Sequence, residues 1–114
     1  MTVIPPQQFI DQPLVLKTTY EGAENDHAIH CAGRLVGRIM LSPMSGGVES
    51  WLWTLTGPYI PPELQPSHGR ADTLAEAKKA FREKFDAWLA WALEQTGPVP
   101  WNGPQVQKLV AGED

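Results

Sequence analysis

A single cysteine, Cys31, stands in a chain of 114 residues. No internal disulfide can staple this fold, and a reducing cytoplasm suits such a chain. Nowhere do about eighteen consecutive apolar residues occur, so no stretch is a candidate membrane-spanning helix. The first residues, MTVIPPQQFIDQP, lack both a basic region and a long apolar run and do not read as a signal peptide. Positive charge is also scarce, with 9 Lys and Arg against 13 Asp and Glu and a net charge of −4. That balance disfavours a protein devoted to the phosphate backbone, which demands a basic surface. A cytoplasmic protein without a membrane partner is the expectation.

The chemistry of metal and catalytic sites is equally thin. His27, His30 and His68 are the only imidazoles, and a metal site needs three or four converging ligands. On a strand, His27 and His30 point to opposite faces, and His30 diverges from Cys31. Cys31 reads as a small core residue rather than a nucleophile, because no residue is placed to orient a base for it. The glycines of GRLVGRIM precede no Lys-Ser or Lys-Thr pair and open no helix, so they belong to turn and bulge chemistry. Glu21, Glu24, Asp26, Glu49, Glu63 and Asp72 all fall in expected loops, with nothing to raise a carboxyl pKa. No enzyme activity and no cofactor are expected.

What the chain does have is one strong helix signal, TLAEAKKAFREKFDAWLAWALEQ, from Thr73 to Gln95. Leu74, Ala77, Phe81, Phe85, Trp88, Leu89 and Ala92 fall in one stripe at 3.6 residues per turn, with Glu76, Lys79, Glu83, Asp86 and Glu94 opposite. Thr73 followed by Glu76 forms a capping box, and Gly97 with Pro98 supplies a stop. The rod would be about 33 Å long, enough for its last turns to overhang a small sheet. Lys78, Lys79, Arg82 and Lys84 interleave with Glu76, Glu83 and Asp86, the pattern of a solvated face.

Ahead of the helix the pattern is that of strands. LVLKTTY (Leu14 to Tyr20) alternates with Leu14, Leu16 and Tyr20 on one face, and EGAEND is turn chemistry. HAIHCAGRLVGRIML reads as a hairpin turning around Ala32 to Arg34, where Gly33 provides a positive φ. One face carries Ile29, Cys31, Leu35, Gly37, Ile39 and Leu41; the other carries Ala28, His30, Val36, Arg38 and Met40. Gly37 inside a strand marks a bulge or leaves room for a large ring. Ser50 to Thr56 alternates so that Trp51 and Trp53 face the helix, and a slip of one residue would reverse this. Residues 57–72 read as an irregular, proline-rich crossing loop.

The expected architecture is α+β: an antiparallel meander of three to four strands packed on one long C-terminal helix. Residues 1–12 form an extended arm, with Val3, Ile4 and Phe9 in reach of the body. Residues 13–96 form the single β-β-β-β-α domain, and residues 97–114 a tail anchored by Trp101. The plan leaves one sheet face uncovered and its edges unpaired, openings that such proteins use to dimerise or to bind a partner. Lys17, His30, Arg34, Arg38 and Arg70 can gather there as an anion or nucleic-acid surface, or as an ordinary mixed-charge face. Trp91, flanked by Lys84 and Ala87, either packs under the C-terminal tail or forms a subunit interface.

GRLVGRIM and WLWTLTGP, together with HGRADTLAEAKKAFREKFDAWLAW, resemble a set of uncharacterised small proteins of alphaproteobacteria, especially rhizobial relatives. These carry a similar Gly-Arg hairpin, a Trp-x-Trp strand and a Thr-Leu-x-Glu-Ala-Lys helix. The resemblance covers residues 27–92 and implies no activity. In plan, a helix of this start after an antiparallel sheet also looks like the plant-type DNA-binding domain and the HicB-like antitoxin, although the strands here carry few arginines. The expected function is therefore a non-enzymatic binding or regulatory module acting through protein–protein contacts, as a homodimer or with another protein. A nucleic-acid-associated or antitoxin-like regulator is the alternative.

Overall fold

The computed structural model describes residues 2–19, 21–22, 24–43 and 45–101. It is α+β: a five-stranded antiparallel sheet and a two-stranded sheet, both packed with one long helix. In chain order the elements are β1 (Thr2–Ile4), β2 (Leu14–Thr18), β3 (Asp26–Cys31), β4 (Arg34–Pro43), β5 (Glu49–Leu55), β6 (His68–Ala71), α1 (Leu74–Leu93) and β7 (Val99–Trp101). The large sheet runs β2-β3-β4-β5-β6, each strand antiparallel to the next, and β1 pairs with β7.

The helix forms where its spacing requires. Ala77, Phe81, Phe85, Trp88 and Ala92 are buried along one stripe, while Glu76, Lys79, Glu83, Asp86 and Glu94 are exposed. Thr73 is the N-cap, its Oγ1 accepting from the Glu76 backbone N–H at 3.1 Å. The helix ends earlier than the sequence suggests. Leu93 is its last residue, and the amides of Glu94 and Gln95 turn back to the carbonyls of Trp91 and Ala92. Gly97, with φ +90°, bends the turn that leads into β7 instead of closing the helix.

The sheet offers its Ile29, Ile39, Trp53 and Leu55 face to the helix, which lies mainly over β5 and β6. Trp53 meets Phe81 edge-on, ring centroids 6.5 Å apart. Ala32 (φ 52°) and Gly33 (φ 80°) make the two-residue turn between β3 and β4, the left-handed pair of a type I′ hairpin. Beyond it the pairing slips: His30 sits opposite Leu35, yet Ile29 sits opposite Gly37. Val36 is the extra residue of this bulge. It therefore reverses two expected positions. Val36, expected on the outer face, is fully buried, and Leu35, expected inside, pairs with His30 on the outer face.

Two segments differ from the sequence reading. Residues 68–71, read as loop, are the fifth strand of the sheet, so three to four strands become five. Gly69 lies opposite Trp53, and the indole occupies the space a side chain would need, its Cζ2 2.8 Å from where a Cβ would stand. The arm 1–12 is not merely extended. It contributes β1 and a 3-10 turn, Pro6–Phe9, that buries Phe9 and Ile4.

These pieces cover the last turns of the helix, which the sheet does not reach. Phe9 stacks on Trp101 (centroids 5.6 Å, 17°) and meets Phe85 and Trp88 edge-on at 5.7 and 5.8 Å. Aromatic pairs of this kind add roughly 0.5–1.5 kcal/mol each beyond their buried area. Trp88, fully buried, donates its Nε1–H to the Tyr59 carbonyl at 3.1 Å. Trp101 is buried against the backbone of Gly57 and anchors β7. The remainder of the tail expected over 97–114, and Tyr20 of the first strand, lie outside the described residues.

Candidate binding surfaces

Alternation places every second residue of the large sheet on the face away from the helix. The register aligns Lys17, Ala28, Arg38, Thr54 and His68 as one row across β2 to β6. Asp26, Met40, Leu52 and Arg70 form the row beside it, and Val15, His30 and Leu35 the row on the other side. No helix covers this outer face among the described residues. Val15 is exposed, and Leu35, Met40 and Leu52 are half-buried.

Of the five residues expected to form an anion or nucleic-acid surface, the fold brings four to this face. Lys17 and Arg38 share a row, with His30 and Arg70 in the flanking ones. Arg34 goes elsewhere. It pairs with Cys31 at the hairpin end, donates from Nε to Gln8 Oε1 at 3.0 Å, and lies over the Trp101 ring, 6.0 Å from its centroid.

Two of the three Lys and Arg among them are already engaged. Arg38 clamps Asp26 with two hydrogen bonds, the Nε–Oδ1 contact being 2.8 Å. That clamp holds the Asp26 carboxyl below its ordinary pKa, and the carboxylate raises that of Arg38. Arg70 reaches across β5, donating to Ser50 Oγ at 2.9 Å and to the Ser42 carbonyl at 3.4 Å on β4. These contacts fix the two guanidinium groups in place while leaving each exposed on one side. Asp26 is the one carboxylate on this face among the described residues, against Lys17, Arg38 and Arg70.

The histidines and the thiol separate. His27 faces the helix side, its ring stacked near Trp51 at 6.3 Å, and its Nε2 is buried without a partner among the described residues. His30 is on the outer face with its Nδ1 similarly placed. Burial, and secondarily Lys17, pushes its pKa below the ordinary 6.5. Cys31 is fully buried, its thiol directed at the Gln12 carbonyl (3.8 Å) and its pKa raised by burial. Among the described residues no three His, Cys, Asp or Glu side chains come together as metal ligands would.

The expected interface around Trp91 takes a different shape. Trp91 is half-buried against the core, and Lys84 donates from Nζ to the Leu64 carbonyl at 2.9 Å, tying the helix to the loop before β6. Of the three residues only Ala87 is exposed. What sequence reasoning missed is the contribution of Leu35 to the outer face, which the bulge hid; Leu52 was already on that face in the alternation with Trp51 and Trp53.

Among the described residues no helix is long and apolar enough to cross a membrane. No protein-family model, curated protein or solved structure matches this chain.

Proposed function

We propose that the chain is a non-enzymatic binding module that works through the outer face of its five-stranded sheet, joining protein to protein and, in the simplest case, itself as a homodimer. The observation that carries this reading is the uncovered face itself. Val15, Leu35, Met40 and Leu52 interrupt its polar rows, and rigid, pre-positioned Arg38 and Arg70 stand beside them. Apolar centres fringed by ordered arginines are the composition of protein interfaces. A sheet is also a stiff platform, so binding would order little that is not already ordered.

Light scattering on a sizing column, at tens of micromolar protein, tests the homodimer. A dimer that Leu52→Lys converts to a folded monomer places the contact on this face. A wild-type monomer disposes of self-association, and capture of a partner that Leu52→Lys abolishes then tests the broader reading.

A second reading is favoured by the charge distribution. Although the chain is acidic, three Lys and Arg meet one carboxylate on the outer face among the described residues, a charge balance that suits docking of a nucleic-acid backbone. Absorbance at 260 nm in excess of the tryptophan spectrum, lost in high salt and reduced by Arg38→Ala, supports it; no binding at low salt removes it.

A further inference from the structure

On the opposite side of the sheet from the proposed binding face, the helix leaves part of the inner surface open. Because α1 lies mainly over β5 and β6, the inner side of the edge strand β2 is only partly covered among the described residues, with Leu14 and Leu16 half-buried while Ile29 and Cys31 of β3 are buried. A groove of about 460 Å³ results, within the size range of small-molecule sites. Its floor is Leu14 and Leu16 of β2, Ile29 of β3 and the edge of Phe81. Its rim, along the helix, is Lys78, Lys79 and Arg82. Among the described residues, none of those lining it is a carboxylate.

We infer that this groove binds an amphiphile with an unbranched apolar chain and a terminal carboxylate, the fatty-acid class. The chain lies along the half-buried Leu14 and Leu16, with Ile29 and Phe81 packed beneath them, and the carboxylate meets the cations of the helix. Charge complementarity selects this occupant. Three cations concentrated on one edge of an apolar trough, in a chain whose net charge is −4, suit a ligand with one anionic end and no other polar group. The rim cations remain available. Lys79 pairs with Glu83 at 3.9 Å and Arg82 with Asp86 at 3.3 Å, but both pairs are exposed and of the i,i+4 kind. Such pairs contribute little and exchange readily for a better-placed anion. Leu14 and Leu16 are each only half-buried, so their remaining apolar surface is the area a chain would remove from water.

Titration calorimetry of the full chain with dodecanoate, below its micelle-forming concentration, tests the inference, with dodecyltrimethylammonium as the cationic control. Saturable one-to-one binding of dodecanoate is expected. The double variant Lys78→Glu, Arg82→Glu should weaken it by roughly tenfold or more while leaving the circular dichroism melt intact, since both side chains are on the solvated helix face. The cationic amphiphile should not bind. Equal affinity for both amphiphiles, non-saturable uptake, or an unchanged affinity in the double variant overturns the inference. So does a double variant that turns a dimer into a monomer without any dodecanoate binding in the parent, which assigns the groove to a second copy of the chain. Leu52→Lys, on the other face, should leave dodecanoate binding unchanged, so this result and that for the outer face are independent.

Discussion

The ring of Phe81 occupies the volume that a side chain on Gly37 would need: a Cβ there would stand 2.3 Å from Phe81 Cε2 and 2.4 Å from the Thr54 carbonyl oxygen. One neighbour is a packed ring and the other is backbone, so neither can give way cheaply. Gly37→Ala should therefore destabilise the fold by about 3 kcal/mol, the upper part of the range for overpacked cores. Urea unfolding measures it, and a loss below about 1 kcal/mol would show that the helix can lift from the sheet.

Phe9 tests whether the N-terminal segment belongs to the core. It is 1% exposed and touches the rings of Phe85, Trp88 and Trp101. Phe9→Ala should cost about 3–5 kcal/mol, as for other buried aromatics. An arm that only rests on the surface would lose a few tenths.

Acidification supplies a third prediction. His30 resists protonation in the folded state because of its burial and, less, because of Lys17. The unfolded chain takes up that proton near the ordinary 6.5, so it binds more protons than the folded chain below that pH. Stability from this group is complete above pH 6.5 and declines as pH falls toward the lowered folded value. Lys17→Gln should soften the decline. Melting temperatures from pH 7.5 down to about 5 check it, and a flat profile there would contradict it. Asp26, whose carboxyl is lowered from 3.8 chiefly by Arg38, adds stability that is lost only at still lower pH. Asp26→Asn should remove that acid-side loss.

The cysteine gives a simple kinetic prediction. With its side chain fully buried and its thiol pKa raised, Cys31 should react with an aromatic disulfide reagent only at the rate of opening or in denaturant. Rapid stoichiometric labelling of the native chain would instead make it a reactive thiol.

Helix, hairpin and the choice of inner sheet face were all legible, because each is written in local periodicity. The stripe from Ala77 to Ala92 has no alternative partner for its aromatics, and the glycine of Gly33 admits a tight turn. What escaped was whatever depends on a neighbour distant in sequence. β6 carries no apolar alternation because Trp53 supplies the bulk above Gly69, so the signal for that strand is held by another one. The reversal of Leu35 and Val36 follows from one bulge, and period-2 reasoning carries no marker of where an extra residue enters. The candidate surface was read in the same partial way. Lys17, His30, Arg38 and Arg70 reach one face by parity, but Arg34 precedes the bulge and is drawn to Gln8 and Trp101.

The pairing of Thr2–Ile4 with Val99–Trp101 also sets an order of events during synthesis. The sheet and most of the helix can assemble as the chain emerges, since their contacts join consecutive strands. Ile4 and Phe9, made first, cannot complete their packing until Trp101 has left the ribosome. Until then the end of the helix bearing Trp88 and Ala92 stays wet, and a nascent chain stalled just short of β7 would display one of its most aromatic surfaces to the chaperones around it.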